Sequence, residues 1–188
     1  MKKIIYGALL VMGLNFLVSC SKGSELDNSR IAINKENKEF TNSQMQKPPT
    51  FSVMDVNGKK FTLEDYKGNI IVLNFFNIWN GDSIKEAKYF EEIYKTYGNK
   101  GVEVLRINSG DKLNDVKQYI KENPIASSNM LLDLDKKITN QYGVENAPTT
   151  FIINKEGYVF ARYAKPITKE ELISGIDSLL QHDIKKVN

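Results

Sequence analysis

The sequence predicts an α/β domain: a central mixed sheet flanked by helices and preceded by a β-hairpin. Three observations carry that prediction. Ile71 to Asn77 (I-V-L-N-F-F-N) is a nearly continuous run of strand formers, as expected for a strand covered on both faces. It passes through Trp79 and a polar turn straight into Lys/Glu-rich sequence of helical period. Beyond it, strand-like and helix-like segments alternate until two strands in succession and a closing helix, giving the order ββ-βαβα-(β)α-ββα.

Pro48-Pro49 opens the domain, because the residue before each proline is driven out of the helical region. Thr50 to Met54 and Lys59 to Leu63 read as strands joined at Asp55-Val56-Asn57-Gly58, where Asn-Gly favours a two-residue turn with positive φ at both positions. Glu64 to Gly68 is a short turn into the central strand. The helix over about 81–97 sets Ala87, Phe90, Ile93 and Tyr94 on one face, and Gly98 to Gly101 ends it. Gly101 to Asn108 alternates and is a strand; Lys112 to Asn123 is an amphipathic helix stopped by Pro124. Met130 to Leu134 is a short strand, Lys136 to Tyr142 a helix and Gly143 to Asn146 a loop. Thr149 to Asn154 and Tyr158 to Ala164 form a hairpin around Asn154 to Gly157. Thr168 to Gln181 is the last helix, with Thr168 as N-cap and Glu171 completing a capping box.

The chain of 188 residues has room for one domain and tails, and 41% hydrophobic with 26% charged residues is an ordinary globular composition. Its first residues read differently. Lys2 and Lys3 precede an apolar stretch from Ile4 to Val18, shorter than a membrane span of about 20 residues and ending in Leu17-Val18-Ser19-Cys20. Cys20 is the one cysteine of the chain and so has no intrachain partner. Ser21 to Lys47 is rich in Ser, Asn, Lys and Glu, without sustained period, and reads as a tether. A flexible coil of that length reaches on the order of 30 Å. The expected organisation is 1–19 signal peptide, 20–47 tether, 48–182 domain and 183–188 tail. Without residues 1 to 19 the formal charge of +3 becomes +1 (3 − 2), which leaves no basic stripe for nucleic acid.

Two stretches carry a resemblance to a known family: N-F-F-N-I-W-N-G-D-S-I-K-E at Asn74 to Glu86 and A-P-T-T-F at Ala147 to Phe151. They resemble the TlpA/ResA-like thioredoxin-fold lipoproteins of the redoxin (AhpC/TSA-like) superfamily, which read N-F-W-x-x-W-C-x-x-C-x-x-E at the first. The resemblance covers about residues 48 to 182 and implies a thioredoxin fold with an N-terminal β-hairpin extension. It also gives Leu17 to Cys20 the look of a lipobox, with Cys20 lipidated and the protein anchored in a bilayer outside the cytoplasm, in the bacterial cell envelope.

The same resemblance places the family's two active cysteines at Asn80 and Ser83. In such enzymes the first is a thiolate activated at a helix N-terminus and the second resolves the mixed disulfide. Neither role passes to an amide or to a hydroxyl without an adjacent base. The single histidine, His182, is expected in the tail beyond the last helix, away from Ser83, and one histidine without a free cysteine is a poor basis for a zinc site; no cofactor and no metal are expected. Asn80 is instead a good N-cap, and Asp82 complements the helix dipole. Glu86 matches the family acid; no lysine stands three or four residues from it, which favours a partly buried acid over a solvated one. Trp79 matches the family tryptophan, with core packing as part of its expected role. Pro148 matches the family's cis-proline, so Trp79, Asn80, Ala147, Pro148 and Thr149 are the expected peptide-binding groove.

Three functions remain open at this point. The first is a redox-inactive, membrane-anchored protein binding an exported polypeptide or envelope partner; the second is a thiol-disulfide oxidoreductase, as the family alone suggests. The third is a tethered spacer without a ligand.

Overall fold

The computed structural model describes residues 45–123 and 130–187. The expected signal peptide, Cys20 and the tether up to residue 44 lie outside the described residues. No described helix is long and apolar enough to cross a membrane.

Seven strands form one sheet: β1 (Ser52–Asp55), β2 (Lys60–Thr62), β3 (Ile70–Phe76), β4 (Val102–Ser109), β5 (Met130–Asp133), β6 (Thr149–Ile153) and β7 (Val159–Tyr163). The helices are α1 (Gly81–Tyr97), α2 (Leu113–Glu122), α3 (Lys137–Gln141) and α4 (Lys169–Val187). The sheet order is β2-β1-β5-β4-β3-β6-β7. β4 runs parallel to both β3 and β5, and every other pairing is antiparallel, so the sheet is mixed as expected. This is the thioredoxin fold with its N-terminal hairpin.

β3 is buried at every position, because both faces of the sheet are covered. Its odd residues Ile71, Leu73 and Phe75 join Tyr142, Phe151 and the hairpin residues Phe51 and Val53 in one core. Its even residues Ile70 and Val72 join Phe90, Ile93 and Tyr97 of α1 and Leu172 and Ile176 of α4 in the other. Gly175 lets α4 lie close on β6: a Cβ there would stand 2.5 Å from Ile152 Cδ1, so that terminal methyl would have to move.

Four expectations are corrected in detail. The first hairpin closes through Val56-Asn57-Gly58 with positive φ at Gly58 alone, because the Asp55 carboxylate accepts from the N–H groups of Asn57 and Lys59 and holds a longer turn. Tyr94 is 40% exposed, and Tyr97, about one turn further along α1, takes the core position instead. β4 does not alternate between core and solvent: Arg106 and Asn108 are buried, because α1 and α2 cover the face they occupy. Finally, α4 continues through His182 to Val187, so the histidine is helical rather than part of a tail.

Met45 to Lys47, the expected end of the tether, already touch the domain. Gln46 O accepts from Val159 N at 2.8 Å, and the Lys47 ammonium stands 5.4 Å from the centre of the Tyr158 ring. The Thr168 capping box forms as expected, with Thr168 Oγ1 accepting from Glu171 N (3.1 Å) and Glu171 Oε2 accepting from Thr168 N (2.9 Å).

Candidate functional site

Strand β3 ends at Phe76, and the turn that follows is tied to the end of β4 at two points. Asn77 Nδ2 donates to Ser109 O at 2.6 Å, and Ile78 N donates to Asp111 Oδ2 at 2.8 Å. Asn108 Nδ2 donates to the same Asp111 oxygen, which fixes the carboxylate. These bonds hold the start of α1 at the edge of the parallel strands, the usual place for a site in an α/β sheet.

Asn80 then caps α1. Its Oδ1 accepts from Asp82 N and Ser83 N, each at 3.0 Å, which satisfies two donors that a helix start otherwise leaves open. Its Nδ2 donates across the site to Ala147 O at 3.1 Å. Ala147-Pro148 is a cis peptide, as expected, and Thr149 Oγ1 donates to Asn146 O, bracing the loop behind it. Asn80, Ala147, Pro148 and Thr149 are thus brought together. Trp79 stands beside them 75% exposed, so the expected contribution to the core is absent: the turn it opens lies at the rim, where no second layer covers the indole.

Ser83 is 1% exposed, and its Oγ has no hydrogen-bond partner. No base contacts that hydroxyl, so the geometry lacks the activating group a serine nucleophile needs. Among the described residues no group of three His, Cys, Asp or Glu side chains could hold a metal ion.

One turn further in, Glu86 is 2% exposed, more fully buried than a partly buried acid. Its Oε1 accepts from Ile167 N, in the segment before α4, at 2.6 Å, while Oε2 has no partner. Burial pushes the Glu86 carboxyl up to about 7; the Ile167 N–H, the Arg106 charge and the Asn74 amide only partly oppose this, and Asp82 adds to it.

The sequence reading missed what lies beneath. Pairing register sets Thr150, Asn74 and Arg106 side by side on the face under α1. Asn74 Nδ2 donates to Thr150 Oγ1 (3.1 Å), and Arg106 Nε donates to Asn74 Oδ1 (3.4 Å). Arg106 Nη2 reaches Ser83 O at 3.5 Å, and Nη1 has no partner. The guanidinium lies 4.1 Å from the Phe76 ring centre and 5.5 Å from that of Phe90, and burial pushes its pKa down to about 10. The available signal was a lone arginine between Leu105 and Ile107 in the apolar middle of the strand.

Comparison with known proteins agrees with this architecture. The model of the AhpC/TSA family matches residues 45–162. Thiol-disulfide oxidoreductase ResA of Bacillus thuringiensis subsp. konkukian is 38% identical over 128 residues, which span 66% of this chain and 71% of that protein. A thiol:disulfide interchange protein of the thioredoxin family from Chlorobium tepidum aligns with a TM-score of 0.64 at 26% identity, over 72% of this chain and 97% of its own. The exposed lipoprotein thioredoxin Etrx1 of Streptococcus pneumoniae aligns with a TM-score of 0.62 at 28% identity, over 70% of this chain and all (100%) of its own.

Proposed function

Because this chain belongs to the AhpC/TSA family, among thioredoxin-like relatives of the ResA kind, we propose that it is a redox-inactive member that binds an extended polypeptide through the turn the enzymes use for thiol chemistry. The observation that carries this is the use made of Asn80: both ends of its amide are committed to structure, Oδ1 to the helix start and Nδ2 to Ala147 O. Ser83, at the other position the resemblance assigns to a cysteine, is buried without a base. In this reading shape and contact remain: exposed Trp79, next to Asn80, and the Ala147-Pro148-Thr149 loop to which Asn80 is bonded offer an apolar rim and strand-end backbone to a partner.

The partner in this reading is an exported polypeptide or envelope protein, and Cys20 anchors the chain by a lipid to the extracytoplasmic face of the plasma membrane or the periplasmic face of an envelope membrane. The lipobox-like Leu17 to Cys20 supports the anchor, as does the similarity to a lipoprotein thioredoxin. The names of the ResA relatives favour a second reading, thiol-disulfide oxidoreductase activity, which here requires a cysteine supplied by a partner. Insulin reduction by purified residues 21 to 188 separates the two. No dithiothreitol-dependent turnover is expected; appreciable turnover overturns the proposal. Co-purification from envelope extract, with and without a bulky residue at Ala147, tests for the binding partner, and loss of a captured protein in the variant is the expected result.

A further inference from the structure

Two oppositely charged side chains, Glu86 from α1 and Arg106 from β4, are buried together beneath the Asn80 turn without a hydrogen bond between them. Each keeps an unpartnered atom, Glu86 Oε2 and Arg106 Nη1, and the Ser83 hydroxyl between turn and sheet is unpartnered as well. A well-made buried ion pair satisfies its donors and acceptors on both sides; this one does not. The carboxylate meets one strong donor, the Ile167 N–H, and through that bond α1 is fastened to the segment leading into α4.

We propose that Glu86 is a proton-operated latch: protonated, it is held inside and fastens the first turns of α1 to the Ile167 segment, and on losing its proton it favours an opened state in which water reaches the carboxylate and the turn loosens from the sheet. Arg106 from β4 attracts the anion but makes only long bonds to Asn74 and Ser83. Asp82 on α1 repels it, and β3 presents only the neutral amide of Asn74. The segment before α4 presents a backbone N–H, and Tyr119 faces Arg106 rather than Glu86. One N–H, one poorly engaged guanidinium and an Asn74 amide that already donates to Thr150 Oγ1 do not replace the water a carboxylate loses on burial. Oε2, which no donor reaches, is the oxygen left to carry the proton.

The consequence is an opening equilibrium tied to pH. The opened state holds Glu86 in water, where it ionises near the ordinary carboxylate value, so raising the pH pulls the protein toward opening. The burial raises the group to about 7, which sets the responsive window between about pH 5 and 7.

Native-state amide exchange on the full domain reads this directly. After correction for the intrinsic pH dependence of exchange, the opening constant at Ile167 N–H and Ser83 N–H is expected to rise about tenfold per pH unit across that window, and to be flat in Glu86→Gln. Titration of the Glu86 side-chain carbon by NMR is expected to share the upper midpoint. A flat wild-type profile, the same slope in Glu86→Gln, or a Glu86 midpoint in the ordinary carboxylate range overturns the latch. Should the glutamine variant fail to fold, the wild-type comparison decides: coincident upper midpoints for titration and opening support the proposal, and separate ones overturn it.

Discussion

Asn80 Nδ2 donates to Ala147 O across 3.1 Å, joining residues 67 positions apart, while Oδ1 of the same side chain caps α1. One amide therefore does two structural jobs at the position where the resemblance places a nucleophile. That side chain fixes both the helix start and the loop that faces it.

The two jobs can be separated by substitution. Asn80→Ala removes both the cap and the cross-site bond and is expected to lower stability by about 1–2 kcal/mol. Asn80→Asp keeps an acceptor for the helix N–H groups and loses only the donor to Ala147 O, so its loss should be smaller than that of the alanine variant. Urea denaturation at pH 7 checks the order; an aspartate variant less stable than the alanine one would contradict it.

Glu86 makes global stability depend on pH. Its folded value, about 7, lies above the ordinary 4.5, so the native state binds more protons than the unfolded chain between those values. Stability from this group is complete below pH 4.5 and is lost as pH rises through 7, by up to ~3 kcal/mol. Denaturation midpoints of the wild type should fall across that range relative to those of Glu86→Gln, whose curve lacks this component.

Arg106 answers a different question. Burial costs both charges more than their attraction returns, since the arginine is pushed down and the glutamate up despite facing each other. The double variant Glu86→Gln with Arg106→Met is therefore expected to be as stable as the wild type or more so at pH 8. Arg106→Met alone should raise the Glu86 midpoint further, because it removes a cation that lowers it. NMR titration and guanidinium denaturation read the two outcomes.

The turn itself is expected to accept the sulfur chemistry back. Asn80 is the N-cap and Ser83 lies in the first turn of α1, three residues on, at a helix start that stabilises a thiolate. In residues 21 to 188, Asn80→Cys with Ser83→Cys should form a reducible disulfide, read as loss of both free thiols on mild oxidation. Thiols that stay free would show that the turn is not shaped for the bond.

Much of this fold could be read along the chain because its causes are local. The β3 run, the start of α1 at Asn80 and the Thr168/Glu171 capping box each depend on residues within a few positions of one another. The site was legible as a set of positions, but its working contacts were not. Trp79 was expected to line the groove and to share in the core, and its exposure follows from the rim at which the turn is placed. Gly101 to Asn108 read as an alternating strand, and the burial of Arg106 follows from α1 and α2 covering its face.

What the linear chain dictated, then, is the succession of strands and helices, the missing cysteines and the capped helix start, because period, propensity and capping act over one or two turns. What folding alone could arrange is the row Thr150–Asn74–Arg106, the Glu86 bond to Ile167 and the Asn80 bond to Ala147, with partners 76, 32, 81 and 67 positions apart. Such pairs are set by strand register and by how helices lie on the sheet, and a buried charge takes its character from neighbours that the local sequence does not contain.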